Sequence, residues 1–319
     1  GRSRFRKKFA GKPGLHAFGA CYVVCVPRHP SHHSECCYLY CMQTSAHYNG
    51  VAAAPPPQHL WKLRRAEHSA VKSRLLDWIG QRMPGGVYSV CDLACGRGGD
   101  VRKLSEAFPR ANVVCVDSSD ASVEELRRRA AEMHIRVHAV CCDVLQYTMQ
   151  AHVYDLVLMN FALHYFASCK EHMQTVLRNV AYGLKPGGAF AGTCVDWRTL
   201  AAGTSQGFRV PEGTTHNIED NPWGRQYRYT LPGCVDLDEC VVHFPTLVRM
   251  AHEQGLHLVK HRPFNGFLHE MGTVPTVHDV NHNYVVFVFR KATSAEGCHE
   301  TREHAHEATP DTTEARRTR

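Results

Sequence analysis

Five short apolar or β-branched runs punctuate the middle of the chain: Tyr88–Leu93, Asn112–Val116, Ile135–Cys141, Tyr154–Asn160 and Gly188–Val195. Each has the length and residue types of a strand, and helix-like segments separate successive runs. Strands that read as near-continuous apolar runs are covered on both faces, so the pattern predicts a mostly parallel sheet with helices on each side. Between the fourth and fifth runs, Glu171–Leu184 puts Met173, Val176, Leu177, Val180 and Leu184 on one helical stripe, and Lys185-Pro186-Gly187-Gly188 stops it. That stripe is core. Ser122 to Glu125 reads as a capping box, and Arg127, Arg128 and Arg129 then point in different directions around their helix.

The ends of the chain break this alternation. Residues 1–57 open with Arg2, Arg4, Arg6, Lys7 and Lys8, run through a Cys/His-dense stretch and close on Ala52-Ala53-Ala54-Pro55-Pro56-Pro57, a linker composition. Cysteines and histidines from Cys21 to Cys41 have metal-ligating chemistry, but their spacing fits no zinc framework. The segment is expected to be a poorly ordered basic arm without a metal. Residues 292–319 are polar and lack aromatic side chains, as in a disordered tail. The chain does not begin with Met, which reads as a fragment.

Composition narrows the class. With 44% hydrophobic and 21% charged residues among 319, and no apolar run near the ~20 residues of a membrane span, the chain reads as soluble and globular. Fifteen cysteines scatter partly through the predicted strands (Cys91, Cys115, Cys141, Cys142, Cys194), where reduced thiols act as small apolar filler. The formal charge of +7 accommodates an anionic ligand without identifying one.

Ligands of open α/β sheets sit beyond the carboxyl ends of the strands. After the first run comes Gly96-Arg97-Gly98-Gly99, a loop that lets a ligand approach the backbone; after the second comes Asp117, placed to hydrogen-bond a ribose diol. Together they indicate an adenosine-containing cofactor. The dinucleotide fingerprint fails, because Val101 stands at its third glycine, and no G-x-x-x-x-G-K-[ST] phosphate loop exists.

Asp92-Leu93-Ala94-Cys95-Gly96-Arg97-Gly98 resembles the first motif of class I S-adenosylmethionine-dependent methyltransferases, with Ala94 at the first glycine, and Asp143 matches the acidic residue that reads adenine. The segment Asn160-Phe161-Ala162-Leu163-His164-Tyr165 is similar to the Q-F-x-x-H-Y motif of eukaryotic mRNA cap guanine-N7 methyltransferases. The resemblance continues in order through Ala66–Leu76, Cys91–Asp100, Leu184–Thr193, Val235–Phe244 and Asn283–Phe289, covering roughly residues 62–290. It implies a Rossmann-like fold with a mostly parallel seven-stranded sheet, in a catalytic domain over 58–291.

The resemblance assigns Lys72, Asp92, Ala94, Gly96, Asp117, Asp143, Asn160 and Tyr165 to S-adenosyl-L-methionine. It assigns His68, Ser69, Arg97, Lys103, Arg129, His164, Glu239 and Tyr284 to the cap, with His68 and Ser69 where the family has paired asparagines and Asn160 where it has glutamine. Guanine N7 carries an in-plane lone pair and no proton, so no general base is needed and Glu239, His164 and Tyr284 position the acceptor. Further implications are GpppN-ended RNA as substrate, RNA polymerase or other capping-apparatus proteins as partners, a nuclear setting and a monomer. Two other readings stay open: a methyltransferase for a small metabolite, and a cap- or RNA-binding module without turnover. On the residues alone, Glu239 also reads as an exposed glutamate at a helix start and Asp143 as a helix cap.

Overall fold

The computed structural model describes residues 59–293 except 84, 85, 87, 203–206, 232–234 and 274–282, together with 46, 47 and 49, and gives only the backbone of 59–64. The Cys/His-rich stretch of the arm and the tail beyond 293 lie outside the described residues. No described helix is long and apolar enough to cross a membrane.

Helix α1 (His59–Gly80) leads into β1 (Ser89–Leu93), α2 (Val101–Ala107), β2 (Asn112–Asp117), α3 (Asp120–Glu132), β3 (His138–Cys141) and β4 (Tyr154–Asn160). Next in the chain are a 3₁₀ turn (Leu163–Phe166), α4 (Lys170–Gly183), β5 (Leu184–Val195) and α5 (Trp197–Ala201). Then come β6 (Phe208–Arg209), β7 (Gln226–Leu231), β8 (Val235–Cys240), α6 (Phe244–His252), β9 (Leu256–Pro263), α7 (Phe264–Glu270) and β10 (Tyr284–Lys291). The large sheet has seven strands in the order β3-β2-β1-β4-β5-β10-β9, while β6-β7-β8 form a second sheet. Strands β1 to β5 pair in parallel and β10 runs antiparallel to both its neighbours, so the expected mostly parallel seven-stranded sheet is what forms.

The period of two in β10 shows how the layers assemble. Val285, Phe287 and Phe289 pack with Met173, Val176 and Leu177 of α4 and with Leu247 of α6 on one face. Tyr284, Val286 and Val288 pack on the other with Val71 and Leu75 of α1, Leu104 of α2, Leu126 of α3 and Phe264 of α7. Each such buried aliphatic or aromatic side chain contributes about 1.5–3 kcal/mol. The α4 stripe predicted from sequence is buried as expected, with Leu184 passing into the strand.

Three local expectations change. Helix α3 is capped by Ser119, whose side chain accepts from Ser122 N, so Ser122 is a buried helical residue and not the cap. Strand β3 begins at His138 rather than Ile135, because only from His138 does the segment pair with β2. Cys141, at the end of the edge strand β3, is exposed, unlike its buried neighbour Cys142. The described cysteines form no disulfide with one another.

The small sheet was not read from the sequence. Its strands are antiparallel, with Tyr227 opposite Glu239 and Tyr229 opposite Leu237, while the alternate positions place Arg228 opposite Asp238. Period two therefore puts Tyr227, Tyr229 and Glu239 on one face and a salt-bridged Arg228, Asp236 and Asp238 on the other. Tyr227 joins Leu200, Ile218 and Val241 in a separate small core.

Candidate active site

Residues just beyond the carboxyl ends of the parallel strands build the site. After β1 the backbone turns sharply: Ala94, Gly96 and Gly98 have φ of 53°, 53° and 71°. Cys95 N donates to Val116 O at 3.1 Å and Gly96 N to Asp117 Oδ2 at 2.7 Å, which ties the loop to the end of β2. A Cβ at Gly98 would lie 2.7 Å from Leu126 Cγ, so α3 packs against this loop at a distance only glycine permits. Ala94 adopts the left-handed conformation with a Cβ, at a cost of about 1–2 kcal/mol.

A cleft with a cavity volume of about 260 Å³ opens above these loops. All eight residues that the resemblance assigns to the cofactor line it: Lys72, Asp92, Ala94 and Gly96, with Asp117, Asp143, Asn160 and Tyr165. Four carboxylates, Asp92, Asp100, Asp117 and Asp143, face one lining lysine. Asp117 receives Gly96 N and, at 2.9 Å, Ser119 N; burial pushes its carboxyl up and these two amides offset part of the effect. Asp143 caps no helix: its Oδ1 accepts from Leu145 N at 2.9 Å in a turn. Burial, reinforced by Asp100, pushes Asp92 far above the usual carboxylate range, and Asp92 Oδ2 has no hydrogen-bond partner among the described residues.

Asp100 is the hub that sequence reasoning missed, although it closes the GRGGD segment. Lys72 Nζ lies 2.7 Å from its Oδ1, Lys103 Nζ 3.1 Å from the same atom, and Asn160 Nδ2 donates to Oδ2 at 3.1 Å. Burial alone would raise its carboxyl, but the two lysines outweigh that and hold it below its ordinary value. Lys103 is thus not a charge on an open rim. Its side chain is 11% exposed and donates to Gly99 O at 2.6 Å, and burial lowers its pKa.

Two aromatic residues of the cleft wall, Phe161 and Tyr165, pack against further rings. Phe161, unassigned from sequence, has φ 53° and sits 4.9 Å from the His68 ring and 5.3 Å from that of Tyr284. His68 and Tyr284 are 4.7 Å apart, and the Tyr284 hydroxyl donates to Tyr229 Oη at 3.3 Å, joining the two sheets. Ser69, next to His68 on α1, is half-buried. Tyr165 meets His164 edge-on at 4.0 Å, and His164 Nε2 lies 3.5 Å from Glu239 Oε1.

Glu239 is neither exposed nor at a helix start. It is buried on β8, with Tyr227 Oη donating to its Oε2 at 2.7 Å. Burial pushes its pKa up to about 7, against which the Tyr227 hydroxyl acts. Burial also drives His164 down to about 3, so the imidazole is neutral and its approach to Glu239 is no ion pair. Tyr227 was missed as well, since only strand register brings it to the carboxylate.

Arg97 and Arg129 form a second charged group beside α3. Arg129 Nε donates to Glu125 Oε1 at 2.6 Å, Arg97 Nη2 lies 3.8 Å from the same oxygen, and Arg129 Nη1 donates to Arg97 O at 3.3 Å. The residues that the resemblance assigns to the cap therefore occupy three places: the aromatic wall, the buried surroundings of Glu239 and this half-exposed arginine pair, with Lys103 paired to Asp100 and outside the lining of the cleft.

Comparison with known proteins agrees with this architecture. The mRNA (guanine-N(7))-methyltransferase domain profile matches residues 44–309, reaching past both limits expected for the domain. The mRNA cap guanine-N(7) methyltransferase of Drosophila melanogaster is 29% identical over 232 residues, covering 63% of this chain and 54% of the relative. That of Saccharomyces cerevisiae is 31% identical over 231 residues, covering 63% and 52%. The chain spans about half the length of these curated relatives. Among solved structures, geranyl diphosphate C-methyltransferase from Streptomyces coelicolor A3(2) superposes with a TM-score of 0.52 at 14% identity, covering 79% of this chain and 98% of the other. An S-adenosylmethionine-dependent methyltransferase from Clostridium acetobutylicum superposes at 0.50 with 11% identity, covering 70% and 91%. At such identities these two likenesses concern the fold, whereas the profile spans most of the sequence. This chain belongs to the mRNA (guanine-N(7))-methyltransferase domain family.

Proposed function

We propose that this chain methylates N7 of the terminal guanosine of GpppN-ended RNA, using S-adenosyl-L-methionine. The observation that carries the reading is an acid-lined cleft whose wall residues Phe161 and Tyr165 pack against Tyr284 and His164, the latter 3.5 Å from the buried Glu239.

The lining fits the cofactor on its own chemistry. Burial drives Asp92 toward its protonated form and Lys72 and Lys103 balance Asp100, so the lining offers a ligand polar partners, the partnerless Asp92 Oδ2 among them, more than a large negative charge. The further carboxylates Asp117 and Asp143 still disfavour a pyrophosphate. Asp117 would hold the ribose diol with the lone pairs left by its two amides, Asp143 would meet the adenine amino group, and Lys72 would meet the methionine carboxylate. When bound, S-adenosylmethionine supplies an electrophilic methyl group on a sulfonium.

The chain's remaining task is positioning. Glu239 accepts hydrogen bonds from the guanine N1–H and amino group, and its negative charge offsets the charge gained by the ring. His164, neutral by burial, has one ring nitrogen to donate and one to accept. Tyr284 and Phe161 supply faces for the base. Arg97 and Arg129, with Lys103 behind the loop, give the phosphate bridge positive charge that positions without specifying. Family membership and capped RNA as substrate support a nuclear setting alongside RNA polymerase or other capping-apparatus proteins.

Labelled methyl transfer to GpppG-ended and uncapped RNA, with digestion of the product, tests the reading. Label is expected in 7-methylguanosine and from capped RNA only. Methylation of a small metabolite alone, or cap binding with the labelled cofactor unused, would overturn it.

A further inference from the structure

The two oxygens of Glu239 stand in unlike surroundings. Oε2 accepts from Tyr227 Oη at 2.7 Å, while Oε1 faces His164 Nε2 at 3.5 Å. Tyr227 reaches Oε2 because its Cα pairs directly with that of Glu239 across β7 and β8, and side chains of such a pair share a face. Its ring is 1% exposed and packs 5.5 Å from Phe208 and against Leu200, Ile218 and Val241, so the hydroxyl is delivered by packing and not by a flexible reach.

The groups facing Glu239 are few. Strand β7 presents the Tyr227 hydroxyl, and the 3₁₀ turn presents the neutral His164 imidazole. Arg228, adjacent to Tyr227 in sequence, points to the opposite face and bridges Asp236 and Asp238. Among the described residues no lysine or arginine pairs with Glu239, so a hydroxyl is its strongest partner.

We infer that Tyr227 is a positioning residue for the methyl transfer: its hydroxyl favours the ionised form of the buried Glu239 carboxylate and pins Oε2, leaving Oε1 on the side of His164. The inference rests on the function proposed above and adds a residue and a pH-dependent role to it. A hydrogen bond donated to a charged group favours that charged form, typically by about one pH unit or more. With Glu239 pushed up to about 7, activity that needs the carboxylate is full above that pH and declines as pH falls through it.

The test compares wild type with Tyr227→Phe, which removes one oxygen and keeps the ring. The acid limb of kcat/KM for GpppG-ended RNA is expected to move up by about one pH unit, a loss of about fivefold at pH 7 that is regained near pH 9. KM for S-adenosylmethionine should not change. In protein labelled with ¹³C at glutamate carboxyls, the resonance missing from Glu239→Gln identifies Glu239, and its titration should rise by a similar amount in Tyr227→Phe. On the Glu239→Gln background the same tyrosine change should cost nothing further. An unmoved carboxyl titration, or an equal loss at every pH and on both backgrounds, would overturn the inference. If the wild type methylates no capped RNA, the functional reading fails, and the carboxyl titration, which needs no turnover, still decides whether Tyr227 governs Glu239.

Discussion

Asp100 and Glu239 are both buried carboxylates, yet their protonation is driven in opposite directions. Asp100 meets two ammonium groups, at 2.7 and 3.1 Å, and is held below its ordinary value despite burial. Glu239 meets a hydroxyl and a neutral imidazole, and burial carries it up to about 7. Burial sets the size of what is at stake, and the charge of the partner sets its sign. Asp100 is the ionised centre of its cluster, although burial pushes the neighbouring Asp92 far up. Glu239 is close to its midpoint at neutral pH, and under the proposed function a donor-rich base would fix it in the charged form.

The largest expected break in this comparison is Asp100→Ala, which strands Lys72 and Lys103. It should cost about 3–5 kcal/mol of stability, as removal of one partner from a buried ion pair does. Urea unfolding at pH 7.5 measures it, and a loss below 1 kcal/mol would mean that the lysines find water and the hub is no frame. Asp100 also sets a pH limit: its stabilisation is present above its unfolded pKa of ~4 and is lost as pH falls through its depressed folded value.

Glu239→Gln should run the other way. A carboxyl whose folded pKa is raised destabilises the fold progressively as pH climbs from its unfolded value of ~4.3 through about 7. The substitution is expected to stabilise the protein by about 3 kcal/mol at pH 8 and by little at pH 4.5, while methyl transfer drops about 10²-fold. Melting curves at the two pH values check the sign.

Ala94→Gly isolates backbone strain from charge on the cofactor side. Relieving φ 53° should add about 1 kcal/mol after the extra unfolded-state freedom of glycine is subtracted, read as a higher melting temperature. The smallest effect belongs to a half-buried counterpart of Asp100. Glu125, whose pKa is lowered to about 2, first by its hydrogen bond with Arg128, lies at the surface with its side chain 18% exposed, so Glu125→Gln should change stability by less than about 1 kcal/mol. It releases Arg97 and Arg129, so capped-RNA binding should tighten at low salt and its salt dependence should steepen. A stability loss matching that of Asp100→Ala would erase the distinction between buried and half-buried carboxylates.

The legible part of the molecule is its regular part. The runs that became β1, β2, β4 and β5, and the stripe of α4, announce themselves through local periodicity because each is buried in a sheet covered on both faces. Ile135–Val137 have strand composition but no partner in register, so composition overreached there. Ser122 looked like a cap because the box pattern is local, whereas the hydroxyl that accepts its amide comes from Ser119. The small sheet escaped although Gln226–Leu231 and Val235–Asp238 alternate, because β6 has only two residues and the pairing of three short strands is set by tertiary contacts.

By itself the sequence determined the α/β alternation, the glycine loop with Asp117 beyond the next strand, and, through its ordered motifs, the membership that the domain profile shows. These depend on residue type at fixed local spacing. The tertiary structure alone decided which carboxylates would be charged. Asp100 meets Lys72 from 28 residues earlier, Glu239 meets Tyr227 through strand register, and His164 loses its proton to burial. Protonation in a dry interior is set by the groups within a few ångströms, and only the folded chain sets those distances.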